Sequence, residues 1–276
     1  MKFSQAKVLE FASSLVQIVI NNPPLRIGSG MLIAPQVVLC ARHSLEMASP
    51  DIKILMDFEC DTRTAPPGAF FQYERAQSTW PSCTELATSP QATVVKTLEQ
   101  EEINNLDYAM LLIRWAKILP GNIVKLPRVP VISKPGRNFT DEMLLIGHPW
   151  TKGTSQGEPT QACAFKRYRT DGPNPDTGTG DTYCYGEFGF SDGHGFSGGG
   201  VFNEQSEIVG LLKGSPGDTL KAQGFQHWHF AFLDIGLAAD HTMNDPNRGR
   251  LKLWLNTGNP LKQNDTNVPD PTFQRG

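Results

Sequence analysis

The segment Gly193-His194-Gly195-Phe196-Ser197-Gly198-Gly199-Gly200 sets one serine in a run of glycines. Glycines reach backbone angles that other residues avoid. The loop can therefore expose the hydroxyl, turn N–H groups inward and let a substrate carbonyl come close. That is the setting of a serine nucleophile, although a flexible glycine loop would read the same way. A second segment, Val37-Val38-Leu39-Cys40-Ala41-Arg42-His43-Ser44, puts His43 directly after an apolar run, at the start of a turn. A neutral imidazole there can take a hydroxyl proton; a satisfied structural histidine is the competing reading. In a third, Asp107 opens the strongly apolar stretch 108–113. A carboxylate at the edge of a core must be paired or hydrogen-bonded to stay charged, though an aspartate capping a strand is also common. Each signal has a bland alternative. Three independent contexts in the order His43, Asp107, Ser197 together point to Ser–His–Asp nucleophilic chemistry, with base and acid in the first half of the chain and nucleophile in the second.

The elements that must position these residues are short. Apolar runs lie at 15–20, 30–33, 37–40, 52–58, 92–96 and 108–113, then at 143–146, 162–168, 201–202, 208–213 and 230–235. The segment 118–135 between the two sets holds four prolines and reads as a linker. With 26 glycines and 21 prolines the chain favours strands joined by turns over long helices. The expectation is an all-β fold: two antiparallel six-stranded Greek-key barrels with the site between them, and a short C-terminal helix near 251–255. Residues 1–13 read as an N-terminal extension, 14–125 as the first barrel, 126–256 as the second, and 257–276 as a disordered tail. Segment 63–92 reads as a long loop or insertion, and 171–182 as a turn-rich loop.

Composition narrows the function classes. A net charge of −3 argues against a protein that tracks nucleic-acid phosphates. No apolar run approaches the ~18–20 residues of a membrane-spanning helix. Residues 1–22 are read as mature protein, since Glu10 and Gln17 interrupt the apolar stretch. The five cysteines are odd in number, irregularly spaced and without a CxxC pair, which disfavours a zinc site. Reduced thiols in a cytoplasm are the default. His227 and His229 alternate on one strand face but have no acid or cysteine partner at matching spacing, and His148 reads as structural.

The motifs resemble those of trypsin-like serine peptidases of the chymotrypsin fold, nearest to the bacterial branch of V8-type glutamyl endopeptidases and HtrA proteases. GSGMLIAPQVVLCARHS resembles that branch's G-S-G-F-L-I … V-L-T-A-x-H segment, LDYAMLLI its D-x-A-[LV]-L strand, and LLIGHPW its I-x-G-Y-P turn. GFSGGGVFNEQSEIVGLL resembles G-N-S-G-G-P-[VL]-F-N-x-x-x-x-[VI]-[VI]-G-I. The resemblance implies that Ser197 is the nucleophile, His43 the general base and then acid, Asp107 its orienting partner, and the N–H groups of Gly195 and Ser197 the oxyanion hole. It implies no cofactor and no metal. Ser44 stands where secreted trypsins have a cysteine, so their disulfide at that place is absent. Phe196 stands where activated trypsins carry an aspartate that pairs with a freed N-terminus, so activation by that ion pair is not available.

By the same resemblance Ser191 and Asp192 lie at the floor of the substrate pocket, Leu212, Lys213 and Gly214 form its wall, and the strand around His229 closes the back. Asp192 favours a basic substrate side chain, whereas Lys213 and His229 favour an acidic one; floor charge tips the balance slightly toward basic. The expected function is a cytoplasmic serine endopeptidase acting on a protein or peptide, with no nucleic-acid or membrane partner. By analogy with stand-alone bacterial peptidases of defence operons, a regulatory protein would gate it and its target would be dedicated. A catalytically silent interaction module of the same fold, or an esterase, is the alternative.

Overall fold

The computed structural model describes residues 3–4, 7–8, 11, 14–20, 26–34, 36–45, 52–56, 61–63, 71–74, 91–100, 106–115, 139–148, 161–187, 195–241 and 249–265. The strands of the first half are β1 (Leu15–Ile20), β2 (Arg26–Ala34), β3 (Val37–Cys40), β4 (Ile52–Met56), β5 (Asp61–Arg63), β6 (Phe71–Glu74), β7 (Gln91–Gln100) and β8 (Ala109–Trp115). Those of the second half are β9 (Met143–Gly147), β10 (Gln161–Phe165), β11 (Tyr168–Gly172), β12 (Tyr183–Gly186), β13 (Gly200–Phe202), β14 (Ile208–Gly214) and β15 (Phe230–Asp234). A 3-10 turn, Arg42–Ser44, follows β3, and helices α1 (Ile235–His241) and α2 (Arg250–Thr257) come last.

Six antiparallel strands close the first barrel in the order β1-β2-β3-β8-β7-β4, with β4 returning to β1. The second sheet has nine strands, ordered β11-β12-β15-β14-β13-β9-β10-β6-β5. Its stretch β12-β15-β14-β13-β9-β10 repeats the cyclic order of the first barrel, but among the described residues the ladder stays open. The second six-stranded barrel of the sequence reading is therefore corrected to an open nine-stranded sheet. The outer edge of β10 is taken by β6, and that of β12 by β11. Segment 63–92, expected to be a loop, supplies β6, which forms an antiparallel pair with β5. Strand edges carry unpaired N–H and C=O groups, and an added hairpin satisfies those of β10.

Period-2 alternation divides the apolar residues among three cores. Val16, Ile18, Leu32, Val38, Cys40, Leu111 and Ile113 fill the first barrel. Met143, Leu145, Phe196, Val201, Val209 and Phe232 fill the second sheet. The opposite faces of these strands, with Val37, Leu39, Met110, Leu144, Ile146 and Leu211, form a shared core. Residues assigned to the N-terminal extension join it: Phe3, Val8 and Phe11 are buried there, and Phe11 stacks on Phe202 at 4.2 Å.

Helix α2 closes the chain on the first barrel. Its fully buried Trp254 donates Nε1–H to the Ile33 carbonyl at 3.2 Å. The first N–H groups of a helix lack partners within it, and here a carboxylate from β7 supplies them. Glu99 accepts from the Arg250 N–H at 2.8 Å and the Leu251 N–H at 3.4 Å, and from the Tyr108 hydroxyl at 2.6 Å. Arg250 also pairs with Asp265, which accepts from Lys96 Nζ at 3.1 Å. The tail expected to be disordered from residue 257 is thus tied down as far as Asp265, because its carboxylate has two cations to meet.

Burial alone would raise the Asp265 carboxyl. Hydrogen bonds from Arg250, the Lys262 backbone and Lys96 outweigh that and bring it from 3.8 down to about 2. A depressed carboxyl contributes stability that is complete above its unfolded value and is lost as pH falls toward the folded one. Urea unfolding of wild type and Asp265→Asn should therefore show a constant stability gap above about pH 5 that closes between about pH 4 and pH 2. A gap that does not change with pH would show that the ion pair holds nothing.

Candidate active site

The register of β3 on β8 brings the first two residues together. Cys40 is opposite Ala109. The chain leaving β3 and the chain entering β8 therefore meet at one end of the barrel, three residues past Cys40 at His43 and two before Ala109 at Asp107. The His43 backbone N–H donates to Asp107 Oδ1 at 2.8 Å, and His43 Nδ1 lies 2.5 Å from Asp107 Oδ2. With Nδ1–H on the carboxylate, Nε2 is left as the free acceptor of a neutral ring. Asp107 is 5% exposed, while the His43 side chain keeps 32% of its surface, so the pair is anchored from inside and reachable from outside.

Ser197 comes from the turn before β13. The Gly199 N–H closes that turn on the Phe196 carbonyl at 2.8 Å. Gly198 lies at φ 86°, and a Cβ there would sit 2.0 Å from the Ser29 carbonyl oxygen, so only glycine fits. The turn is fastened to both halves of the molecule. Ser29 N–H donates to the Ser197 carbonyl at 2.9 Å, and Gly198 N–H to the Leu212 carbonyl at 2.8 Å. Ser29 Oγ donates to the Gly195 carbonyl at 2.7 Å and accepts from the His148 N–H at 2.8 Å. The Ser197 hydroxyl itself donates to the Lys213 carbonyl at 3.1 Å.

Phe196 is fully buried beside Gly147, where a Cβ would lie 2.5 Å from its ring. An apolar plug thus fixes the loop at the position where a charged anchor was absent from the sequence. His148 is buried as expected of a structural residue, and burial lowers it to about 3, so its ring is neutral.

The expected pocket residues separate. Ser191 and Asp192 lie outside the described residues. Leu212 is 3% exposed and packs with Phe196 in the second core, so its side chain does not line a pocket. Gly214 has open space where a Cβ would stand. His229 is exposed, with its N–H on the Gly186 carbonyl at 2.9 Å. Lys213 departs most from expectation. Its ammonium turns away from the position of a wall charge and meets Asp107 Oδ2 at 2.6 Å and Asp176 Oδ2 at 2.8 Å. The physical reason is the buried carboxylate, the strongest local attractor for a cation. Sequence reading also missed Ser29, whose only signal was its place between two glycines ahead of the His43 segment. Among the described residues no group of three His, Cys, Asp or Glu side chains could hold a metal ion.

Burial would raise the Asp107 carboxyl. The hydrogen bond and charge of His43, then those of Lys213, reverse this and hold it well below the usual carboxylate range. Asp107 is thus an anion at every working pH. Truncating the Phe196 plug should loosen the serine turn: Phe196→Ala should cost about 3–5 kcal/mol of stability and Phe196→Leu less than half as much. Equal loss from both in denaturant unfolding would mean that ring volume is not what holds the turn.

No protein-family model matches the chain, and no curated protein sequence matches it. Solved structures do. The HtrA-type protease AlgW, determined with a tripeptide, superposes with a TM-score of 0.51 at 12% identity, over 93% of this chain and 65% of that one. A serine endoprotease from Yersinia pestis gives a TM-score of 0.50 at 15% identity, over 93% and 68%. Rv3671c from Mycobacterium tuberculosis gives 0.48 at 16% identity, over 86% and 90%. At such identities the likeness to AlgW and the Yersinia enzyme is one of architecture, and the chain has the chymotrypsin-like fold that they share.

Proposed function

We propose that the chain is a trypsin-like serine endopeptidase of the V8/HtrA kind, working through Ser197, His43 and Asp107. The observation that carries this reading is the double hydrogen bond from His43 to Asp107. It fixes ring orientation and tautomer at once, and Ala41, two residues before His43, lies against Gly198 of the glycine-held serine turn. In the reaction His43 Nε2 takes the proton of Ser197 as Oγ attacks the scissile carbonyl. The N–H groups of Gly195 and Ser197 receive the oxyanion. His43 then gives its proton to the leaving amine, and water, activated by the same ring, releases the acyl group. Esters would suit the same machinery.

With the Lys213 ammonium committed to Asp107, the charge that would favour an acidic substrate side chain is withdrawn from the wall. Asp192 then tips the preference toward cleavage after Arg or Lys. One observation supports gating and one a reducing, cytoplasmic setting; the dedicated target rests on analogy. The Ser197 hydroxyl rests on the Lys213 carbonyl, and among the described residues Cys40, Cys163 and Cys184 are buried without a disulfide. Among the described residues no helix is long and apolar enough to cross a membrane.

Profiling the purified protein on a peptide library tests the reading. Wild type should cleave, with basic residues preferred before the scissile bond. Ser197→Ala and His43→Ala should each lose about 10³-fold or more in kcat and remain folded, and the double variant should lose no more than either. Retained turnover in folded Ser197→Ala would refute the assignment, and an inactive wild type would favour the interaction module.

A further inference from the structure

The sequence places Lys213 beside the pocket, but the fold spends its charge elsewhere. Asp107 Oδ2 accepts His43 Nδ1 at 2.5 Å and Lys213 Nζ at 2.6 Å, while Oδ1 accepts the His43 N–H at 2.8 Å. Three donors on two oxygens leave the carboxylate no freedom to rotate. The Lys213 side chain is 10% exposed, so its charge is weakly screened where it acts. Its second partner, Asp176, is 67% exposed and belongs to a built turn. Asn174 Oδ1 accepts from the Asp176 and Thr177 N–H groups, and Tyr185 donates to the Pro173 carbonyl. Lys213 therefore joins a surface loop to the carboxylate behind His43.

Two further titratable groups packed against Asp107 stay neutral. Burial and the Asp107 charge push both the Cys40 thiol on β3 and the Tyr183 phenol on β12 above their ordinary values. Arg42 lies in the same turn as His43. For Lys213, burial would lower the ammonium, but Asp107 and Asp176 raise it on balance, so it stays charged. Its charge satisfies the buried Asp107 whether or not His43 carries a second proton. Asp107 then has less to offer the imidazolium than it would alone.

We propose that Lys213 is a positioning residue for the reaction: its ammonium locks Asp107 behind His43 and sets the pH at which His43 can act as a base. This rests on the peptidase reading for its consequence but not for its test. The His43 ring titration is followed by NMR in wild type, Lys213→Met, Lys213→Arg and Asp176→Asn, with the pH profile of peptide cleavage beside it. Removing the cation in Lys213→Met should move the His43 midpoint up by ~0.5 pH unit or more. Lys213→Arg should restore it, and Asp176→Asn, which removes an anion, should move it down. Cleavage by Lys213→Met at neutral pH should fall about tenfold in kcat with KM within about twofold, its acid limb shifted in the same direction as the ring. A merely structural lysine would not give shifts of opposite sign in the two variants. An unchanged midpoint in folded Lys213→Met overturns the proposal. Should that variant not fold, an unchanged midpoint in Asp176→Asn overturns it. Midpoints that shift as stated in a wild type that cleaves nothing would sink the peptidase reading and leave only the lock of Lys213 on Asp107 and His43 standing; active wild type with fixed midpoints would do the reverse.

Discussion

A carboxylate kept ionised inside the protein is the constraint on which the site depends. Asp107 sits at the mouth of a closed barrel, almost out of solvent, where a lone charge would be untenable. It is tolerated because β3 and β8 bring a donor-rich turn alongside it and β14 sends a lysine across from the second sheet. Together these donors offset the cost of burying the anion. The arrangement therefore couples the first barrel, the serine-bearing sheet and the 173–180 loop at one oxygen pair.

The rest of the packing serves the same alignment. Ser29 reaches from β2 to the serine turn and to the end of β9, so one hydroxyl registers the two halves against each other. Phe196 holds that turn from inside the second sheet by apolar burial. At the far ends of the chain, Phe11 stacks on Phe202, and α2 leans on Ile33 and Glu99 of the first barrel. The described segments nearest both ends thus reinforce the shared core.

Much of this was legible in the sequence. Alternating apolar runs gave the strands, and the contexts of His43 and Asp107 gave a pair that the β3–β8 register brings into contact. Local pattern could not show where the second ladder ends, because closure depends on which distant edge a strand meets; hence β5 and β6 on β10. Nor could it show the direction of a long side chain. The family resemblance places Lys213 on the pocket wall, yet its ammonium follows the field of a buried anion. Leu212 was assigned to the same wall and faces the core, because alternation along β14 turns it inward. The tail looked disordered by composition, but Asp265 finds Arg250 and Lys96, partners more than ten residues away in sequence.

The most direct test of the account is where a fluorophosphonate reacts. The reagent needs an activated serine and no particular substrate, so it is independent of pocket preference. Intact-protein and peptide mass spectrometry of the treated wild type should show one phosphonyl group, carried by Ser197, and none in folded Asp107→Ala treated for the same brief time. A wild-type protein that is folded and unmodified, or that carries the label on another residue, would contradict it.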